Sequence, residues 1–248
     1  MIYYNLRLVT VGYKGRRCLM QLFCFHCAGG SSSLFNGWGF SGIETIPLDL
    51  PGRGRRIREP FHTDFQSAAQ DLAGEIQRKR VKGQEWGVFG HSLGAMLAYE
   101  VTRIYQDEWL SFRILSGVRP LHQYKNDVSI LKEDDRTMIQ KLVDISGIPS
   151  KYADLPAFVQ WFAPIVRSDL LLVKSFRFVQ DDAPISTYVL NGTKDLITRN
   201  SPVIEWRKCW RQSFHYETFE GDHFHILKKP EIVERFMKMF LGKVGEVR

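Results

Sequence analysis

Trp86-Gly87-Val88-Phe89-Gly90-His91-Ser92-Leu93-Gly94-Ala95 is the stretch that decides how this sequence folds. An apolar run ends at Gly90, a serine follows, and a helical pattern begins at once, with Leu93, Leu97, Val101 and Ile104 spaced by four and three. A strand, a sharp turn and a helix around G-x-S-x-G hold a serine hydroxyl clear of the chain. The serine must take a strained backbone angle there, so any side chain at Gly90 or Gly94 would collide with neighbouring backbone. The hydroxyl then sits at a helix N-terminus, where partial positive charge favours a developing anion. Taken alone, the five-residue pattern would also suit a tight turn carrying an inert serine. The flanking strand and helix give it weight.

Outward from this turn, the chain alternates strands and helices. Tyr3 to Val11 and Cys18 to His26 read as two β-type runs around Gly12-Tyr13-Lys14-Gly15, a hairpin. The second run feeds into Ala28-Gly29-Gly30-Ser31-Ser32-Ser33. With no Lys-Ser/Thr after it and no G-x-G-x-x-G, that loop is a poor phosphate cradle. Its small residues instead let backbone N–H groups approach a reacting carbonyl oxygen. Thr45 to Leu50 is a short strand stopped by Pro51 and Gly52, and Phe65 to Lys79 is a helix with Leu72, Ile76 and alanines on one side. Phe112 to Leu115 is a further strand. This rhythm predicts an α/β fold with a mostly parallel central sheet flanked by helices.

The rhythm breaks between about Pro120 and Phe178. Asp135-Arg136-Thr137 opens a segment with Met138, Leu142 and Val143, and Pro156 precedes another with Phe158, Val159, Phe162, Ile165 and Val166. We read this span, about 120–180, as a helical lid inserted over the carboxyl edge of the sheet, within one domain covering 1–248. Strand character returns at Ile185 to Leu190, which ends at Asn191-Gly192-Thr193-Lys194-Asp195. A helix carrying Val203, Ile204, Trp206 and Trp210 is expected next. Phe214 to Phe219 is the last strand, followed by Glu220-Gly221-Asp222-His223-Phe224-His225. A closing helix over Pro230 to Leu241 presents Ile232, Val233, Phe236, Met237 and Phe240.

With 248 residues, 44% hydrophobic and 25% charged, the chain can bury a full-sized core. Met1 to Met20 lacks a continuous apolar core, and no stretch is long enough to cross a bilayer, so no membrane association is expected and the cytoplasm is the expected location. Cys18, Cys24, Cys27 and Cys209 would stay reduced there. Cys24 and Cys27 form a C-x-x-C without the second ligand pair that a zinc site needs, so no metal is expected. The net charge of +7 favours an acidic partner. Its densest clusters, Arg53-Gly54-Arg55-Arg56-Ile57-Arg58 and Arg78-Lys79-Arg80, come with no nucleic-acid-binding motif and read as solvated surface.

A serine hydroxyl becomes a useful nucleophile when a base takes its proton, usually a histidine oriented by a carboxylate. Ser92, Asp195 and His223 fall at strand ends in the chain order of the α/β-hydrolase fold. His225 competes with His223 for the role of base, and Asp222 with Asp195 for that of acid. His91 would point away from the hydroxyl, and His26 and His215 lie within or at the start of strands. Backbone N–H groups of Ala28 and Leu93 are the candidate oxyanion donors. Acyl transfer to water by these groups needs no cofactor, and ester, thioester and amide substrates all remain open.

Leu22 to Ser33, Leu50-Pro51-Gly52-Arg53-Gly54-x-Arg56, the serine turn, Ala163-Pro164-Ile165-Val166-Arg167-Ser168-Asp169, Asn191 to Asp195 and Gly221-Asp222-His223-Phe224 together resemble the type II thioesterases. These are the stand-alone editing enzymes of nonribosomal peptide and polyketide synthesis, and the resemblance runs from about Leu19 to Leu241. It implies a catalytic Ser92, Asp195 and His223 with oxyanion amides at Ala28 and Leu93. It also implies a monomer that hydrolyses acyl or aminoacyl groups from the phosphopantetheine arm of an acyl or peptidyl carrier protein. Carrier proteins are typically acidic, which the net charge suits. Where many relatives carry Pro or His just before Ala-Gly-Gly, this chain has Cys27, preceded by His26. The related medium-chain acyl-carrier-protein thioesterases of fatty-acid synthesis, general carboxylesterases and a non-catalytic carrier-binding module are the alternative readings.

Overall fold

Residues 20–124, 128–145, 147–210 and 214–246 are described in the computed structural model, the last eight of them as backbone only. Cys18 and the expected hairpin partner at Tyr3 to Val11 lie outside them. Six strands form one sheet: β1 (Met20–Phe25), β2 (Ile43–Leu48), β3 (Glu85–His91), β4 (Leu110–Ser116), β5 (Ser186–Gly192) and β6 (Phe214–Phe219). Their order is β2-β1-β3-β4-β5-β6, and every neighbouring pair is parallel. β1 is apolar save Gln21 and is wholly buried, as a parallel strand covered on both faces must be. Pro47 is tolerated inside β2 because β2 is an edge strand.

Alternate side chains of β1 feed two cores. Phe23 and Phe25 pack with Leu48, Leu72, Trp86, Leu97 and Tyr99 under helices α1 (Phe65–Lys79) and α2 (Leu93–Ile104). Met20, Leu22 and Cys24 face the other way, with Phe35, Trp38, Phe112, Tyr188 and residues Val233, Phe236 and Met237 of the closing helix. α1 starts where Asp64 accepts the Ser67 N–H at 2.9 Å, an N-cap that fixes its first turn.

Between β4 and β5 the chain is helical among the described residues, with α3 (Asp135–Asp144) and α4 (Pro156–Ser175). These share a core of their own, built on Met138, Ile139, Phe162, Ile165 and Val166. The return to the sheet is pinned by Arg113 of β4. Its buried guanidinium bonds Asp181 at 2.6 Å and Thr187 at 2.8 Å, between the rings of Tyr99 and Trp210. The helix expected through Trp210 is shorter than its apolar pattern: α5 spans Val203–Trp206, and residues 207–209 form turns, with Lys208 and Cys209 bonded to carbonyls three residues back. Val203 and Ile204 remain exposed, so the apolar run has no continuous buried face to hold a longer helix. A single turn, α6 (His225–Lys228), precedes α7 (Glu231–Glu246). No helix among the described residues is long and apolar enough to cross a membrane.

The chain leaves β1 toward β2 on one side and β3 lies on the other, so the winding reverses between β1 and β3. Such a reversal opens a crevice at the carboxyl ends of the two strands. The loop after β1 and the serine after β3 border it.

Candidate active site

β3 runs straight into Ser92, which takes φ 56° and ψ −117°. It is the one non-glycine residue with positive φ among the described residues. The strain is held by a hydrogen bond from Ser92 N–H to the Ser116 carbonyl at 2.8 Å and by close backbone approach on both sides. A Cβ at Gly90 would land on the Gly94 carbonyl oxygen. One at Gly94 would land on the Phe25 carbonyl oxygen and lie 2.6 Å from that of His26. Both glycines therefore have the steric role expected of them. α2 begins at the next residue, so the first-turn amides, Leu93 among them, lie beside the serine.

The loops after β5 and β6 are drawn together by backbone bonds. Thr193 N–H donates to Phe219 O and Lys194 N–H to Gly221 O, both at 2.9 Å. Gly192 has to be glycine because a Cβ there would land on Gly221 O. The result places His223 Nδ1 2.8 Å from Asp195 Oδ2, with both side chains buried. Burial works against the Asp195 charge. The His223 hydrogen bond and charge, with the Ile197 N–H at 2.8 Å, outweigh it and hold the carboxyl below its usual range. A carboxylate can only accept, so Nδ1 carries the proton and Nε2 is left as the basic nitrogen. The competitors are occupied elsewhere: Asp222 Oδ1 accepts the Phe224 N–H at 3.0 Å, His225 stacks on Phe219, and His215 stacks on Tyr188.

The Ser92 hydroxyl makes no hydrogen bond to His223 among the described residues; the two are related through His91 and Gly117. The His91 ring lies 4.8 Å from that of His223 and 5.7 Å from Phe224, and its Nδ1 is 3.4 Å from Ser116 Oγ. Burial, then the neighbouring His223, push the His91 pKa far below its ordinary value, so it is a neutral wall behind the base. Gly117, at φ 62°, closes over both rings: a Cβ there would meet His91 Nδ1 at 2.9 Å and His223 Cε1 at 3.0 Å. Sequence reasoning set His91 aside because it would point away from the hydroxyl, and nothing in its position signalled this packing.

It also missed the polar cluster under the loop after β1. Asp169 of α4, fully buried, accepts the Gly29 N–H at 2.7 Å and pairs with Arg53. Asp49 accepts from Ser32 N–H at 2.6 Å, Ser32 Oγ at 2.8 Å and Arg55 N–H at 3.0 Å. Phe162 and Val166 of α4 lie where a Cβ on Gly29 would go, so the helical segment rests directly on this loop. Arg53 is thus not solvated surface, as its basic neighbourhood suggests, but only 4% exposed, because Asp169 compensates its charge. Arg55 and Arg58 are exposed as expected. The signal for Asp169 lay in the Ala163 to Asp169 stretch, which carried no chemistry by itself.

Cys24, Cys27 and Cys209 are free and buried. Burial raises the Cys27 thiol to about 12 and that of Cys209 to about 11, which suits packing and not redox chemistry. Among the described residues, no group of three or more His, Cys, Asp and Glu is placed to hold a metal ion.

Comparison with known proteins places the chain in a family. The thioesterase domain family model matches residues 20–241. The probable anguibactin biosynthesis thioesterase AngT of Vibrio anguillarum is 27% identical over 216 residues, 83% of this chain and 85% of its own. The medium-chain S-acyl fatty acid synthase thioesterase of Homo sapiens is 27% identical over 249 residues, 95% of this chain and 91% of its own. The crystal structure of ClbQ, from the colibactin NRPS/PKS pathway, superposes with a TM-score of 0.81 at 24% identity, covering 92% of this chain and 99% of that one, and so shares the fold.

Proposed function

This chain belongs to the thioesterase domain family, and on that premise we propose that it hydrolyses acyl and aminoacyl thioesters on the phosphopantetheine arm of carrier proteins, clearing blocked nonribosomal peptide or polyketide synthases. What supports the reading is the buried Asp195–His223 pair together with a serine held at positive φ between two obligatory glycines, its chain neighbour His91 packed on the His223 ring. In this reading His223 Nε2 takes the Ser92 proton and Ser92 Oγ attacks the thioester carbonyl. The oxyanion is held by the N–H groups of Ala28 and Leu93. His223 then returns the proton to the departing thiol, and water, activated by the same nitrogen, releases the acid from the acyl-enzyme. Asp169 already engages the Gly29 N–H, which leaves Ala28 as the donor from this loop. Residues 120–180 act as the lid, and the net charge of +7 suits an acidic carrier partner.

Similarity to the human medium-chain enzyme favours a second substrate class, medium-chain acyl groups. Both are tested by incubating the protein with acetyl-, aminoacyl- and octanoyl-loaded carrier proteins and following free thiol. Turnover of the short and aminoacyl carriers, lost in Ser92→Ala with carrier binding retained, is the expected result. Preference for the octanoyl carrier selects the second class. Carrier binding without release of any thiol would overturn the enzyme reading.

A further inference from the structure

An oxyanion donor is effective only if its peptide plane is fixed before the charge develops. The loop from His26 to Ser33 contains two glycines and no proline, so nothing covalent stiffens it. The Ala28 N–H shares one planar unit with the Cys27 carbonyl, and whatever holds that carbonyl aims the N–H. Two groups hold it: His26 Nδ1 lies 2.8 Å from Cys27 O, and the Gly30 N–H donates to the same oxygen at 2.9 Å. At the far side of the ring, His26 Nε2 accepts the Leu50 N–H at 3.3 Å, tying the loop to the chain leaving β2.

A carbonyl only accepts and an amide N–H only donates, which assigns the proton to Nδ1 and leaves Nε2 bare. A doubly protonated ring would set a donor against the Leu50 N–H. Burial, helped by the nearby Arg53 charge, lowers the pKa of this ring despite the opposing carboxylates of Asp169 and Asp49. The neutral form is the one that fits both contacts.

We propose that His26 is the positioning residue of the oxyanion hole: bridging Cys27 O and Leu50 N–H, it locks the Cys27–Ala28 peptide so that the Ala28 N–H faces the reacting oxygen. This rests on Ser92 as nucleophile and Ala28 as donor. Asp169 completes the arrangement by holding the next amide, Gly29, away from the anion.

Two replacements separate the ring's contacts. In His26→Asn the side-chain amide N–H occupies the place of Nδ1 and keeps the bond to Cys27 O. In His26→Gln the amide reaches the place of Nε2 and keeps Leu50 but not Cys27. Hydrolysis of butyryl N-acetylcysteamine is followed by thiol release, with circular dichroism confirming that each full-length variant is folded at the assay temperature. Removing an oxyanion donor costs about 100- to 1000-fold in kcat, so merely freeing one is expected to cost His26→Gln about 10- to 100-fold, with KM within about twofold. His26→Asn is expected to stay within about fivefold of wild type by the same reasoning. Binding of a trifluoromethyl ketone, whose adduct with Ser92 places an anion in the hole, should weaken in step with kcat. Equal kcat for the two variants, or a loss confined to KM, overturns the proposal. Turnover surviving in Ser92→Ala would instead overturn the catalytic reading beneath it.

Discussion

Gly117→Ala tests the geometry of the site at a residue that carries no chemistry. Gly117 has φ 62°, a left-handed conformation that costs an alanine roughly 1–2 kcal/mol. The added Cβ would sit 2.9 Å from His91 Nδ1 and 3.0 Å from His223 Cε1. The nearest atom, His91 Cε1, would have to recede by about an ångström and His223 by about half that to restore ordinary contact, into surroundings packed as densely as a crystal. Overpacking of this kind adds about 1–3 kcal/mol, and in a chain of this size each kcal/mol lowers Tm by about 2–4 °C. The expected loss is therefore about 4–20 °C in Tm. A displacement of an ångström can cost about 100-fold in rate, so shifting His223 by half that is expected to lower kcat by about 10-fold or more. Thermal unfolding and thiol release from an acyl N-acetylcysteamine thioester measure the two effects on one preparation. A variant with unchanged Tm and kcat within twofold of wild type would refute the placement of both histidines.

Asp195→Asn keeps the shape of the pair but allows the His223 ring to adopt the other tautomer. A loss of about 10⁴ in kcat with little change in Tm is expected, and activity within tenfold of wild type would remove Asp195 from the relay. Asp169→Asn leaves the Arg53 charge buried and unpaired, which costs about 3–5 kcal/mol in denaturant unfolding. The double replacement Arg53→Met with Asp169→Leu should recover most of that stability, and a single-variant loss below about 1 kcal/mol would contradict the pairing. His26 and His91 are both held neutral, with pKa values below the ordinary 6.5. Below pH 6.5 the unfolded chain binds protons that the folded chain refuses. Stability is therefore full above that pH and declines as pH falls from 6.5 toward the lowered values, by up to about 1.4 kcal/mol per pH unit for each ring. Unfolding free energies between pH 8 and 5 should show a shallower decline in His91→Asn, and identical slopes would refute the assignment.

The order of strands and helices was legible because each signal was local. The apolar spacing of Leu72, Ile76 and the alanines marked α1, and β6 was followed by a polar segment. The serine turn was the most readable, since its steric demands fall on residues two positions away. Strand lengths were less so: β4 extends to Leu110 and Ser116 because it pairs along β3, a neighbour no single segment reveals. Asp195 and His223 could be nominated from their places after strands, but the choice over Asp222 and His225 rests on which loops the sheet brings together. Arg53 was misread for the same reason. Whether a basic run is solvated depends on a carboxylate 116 residues away.

The bond from Asp169 to the Gly29 N–H gives the helix above the crevice a fixed point. Lifting α4 as a rigid rod would strip that amide of its acceptor and unseat the neighbouring Ala28. Eight residues along the helix, Pro164 offers no N–H to the carbonyl of Gln160, so the rod is weakest just ahead of its anchor. Bending of α4 is therefore easiest at the turn spanned by Gln160 and Pro164, with Asp169 beyond it still docked on Gly29.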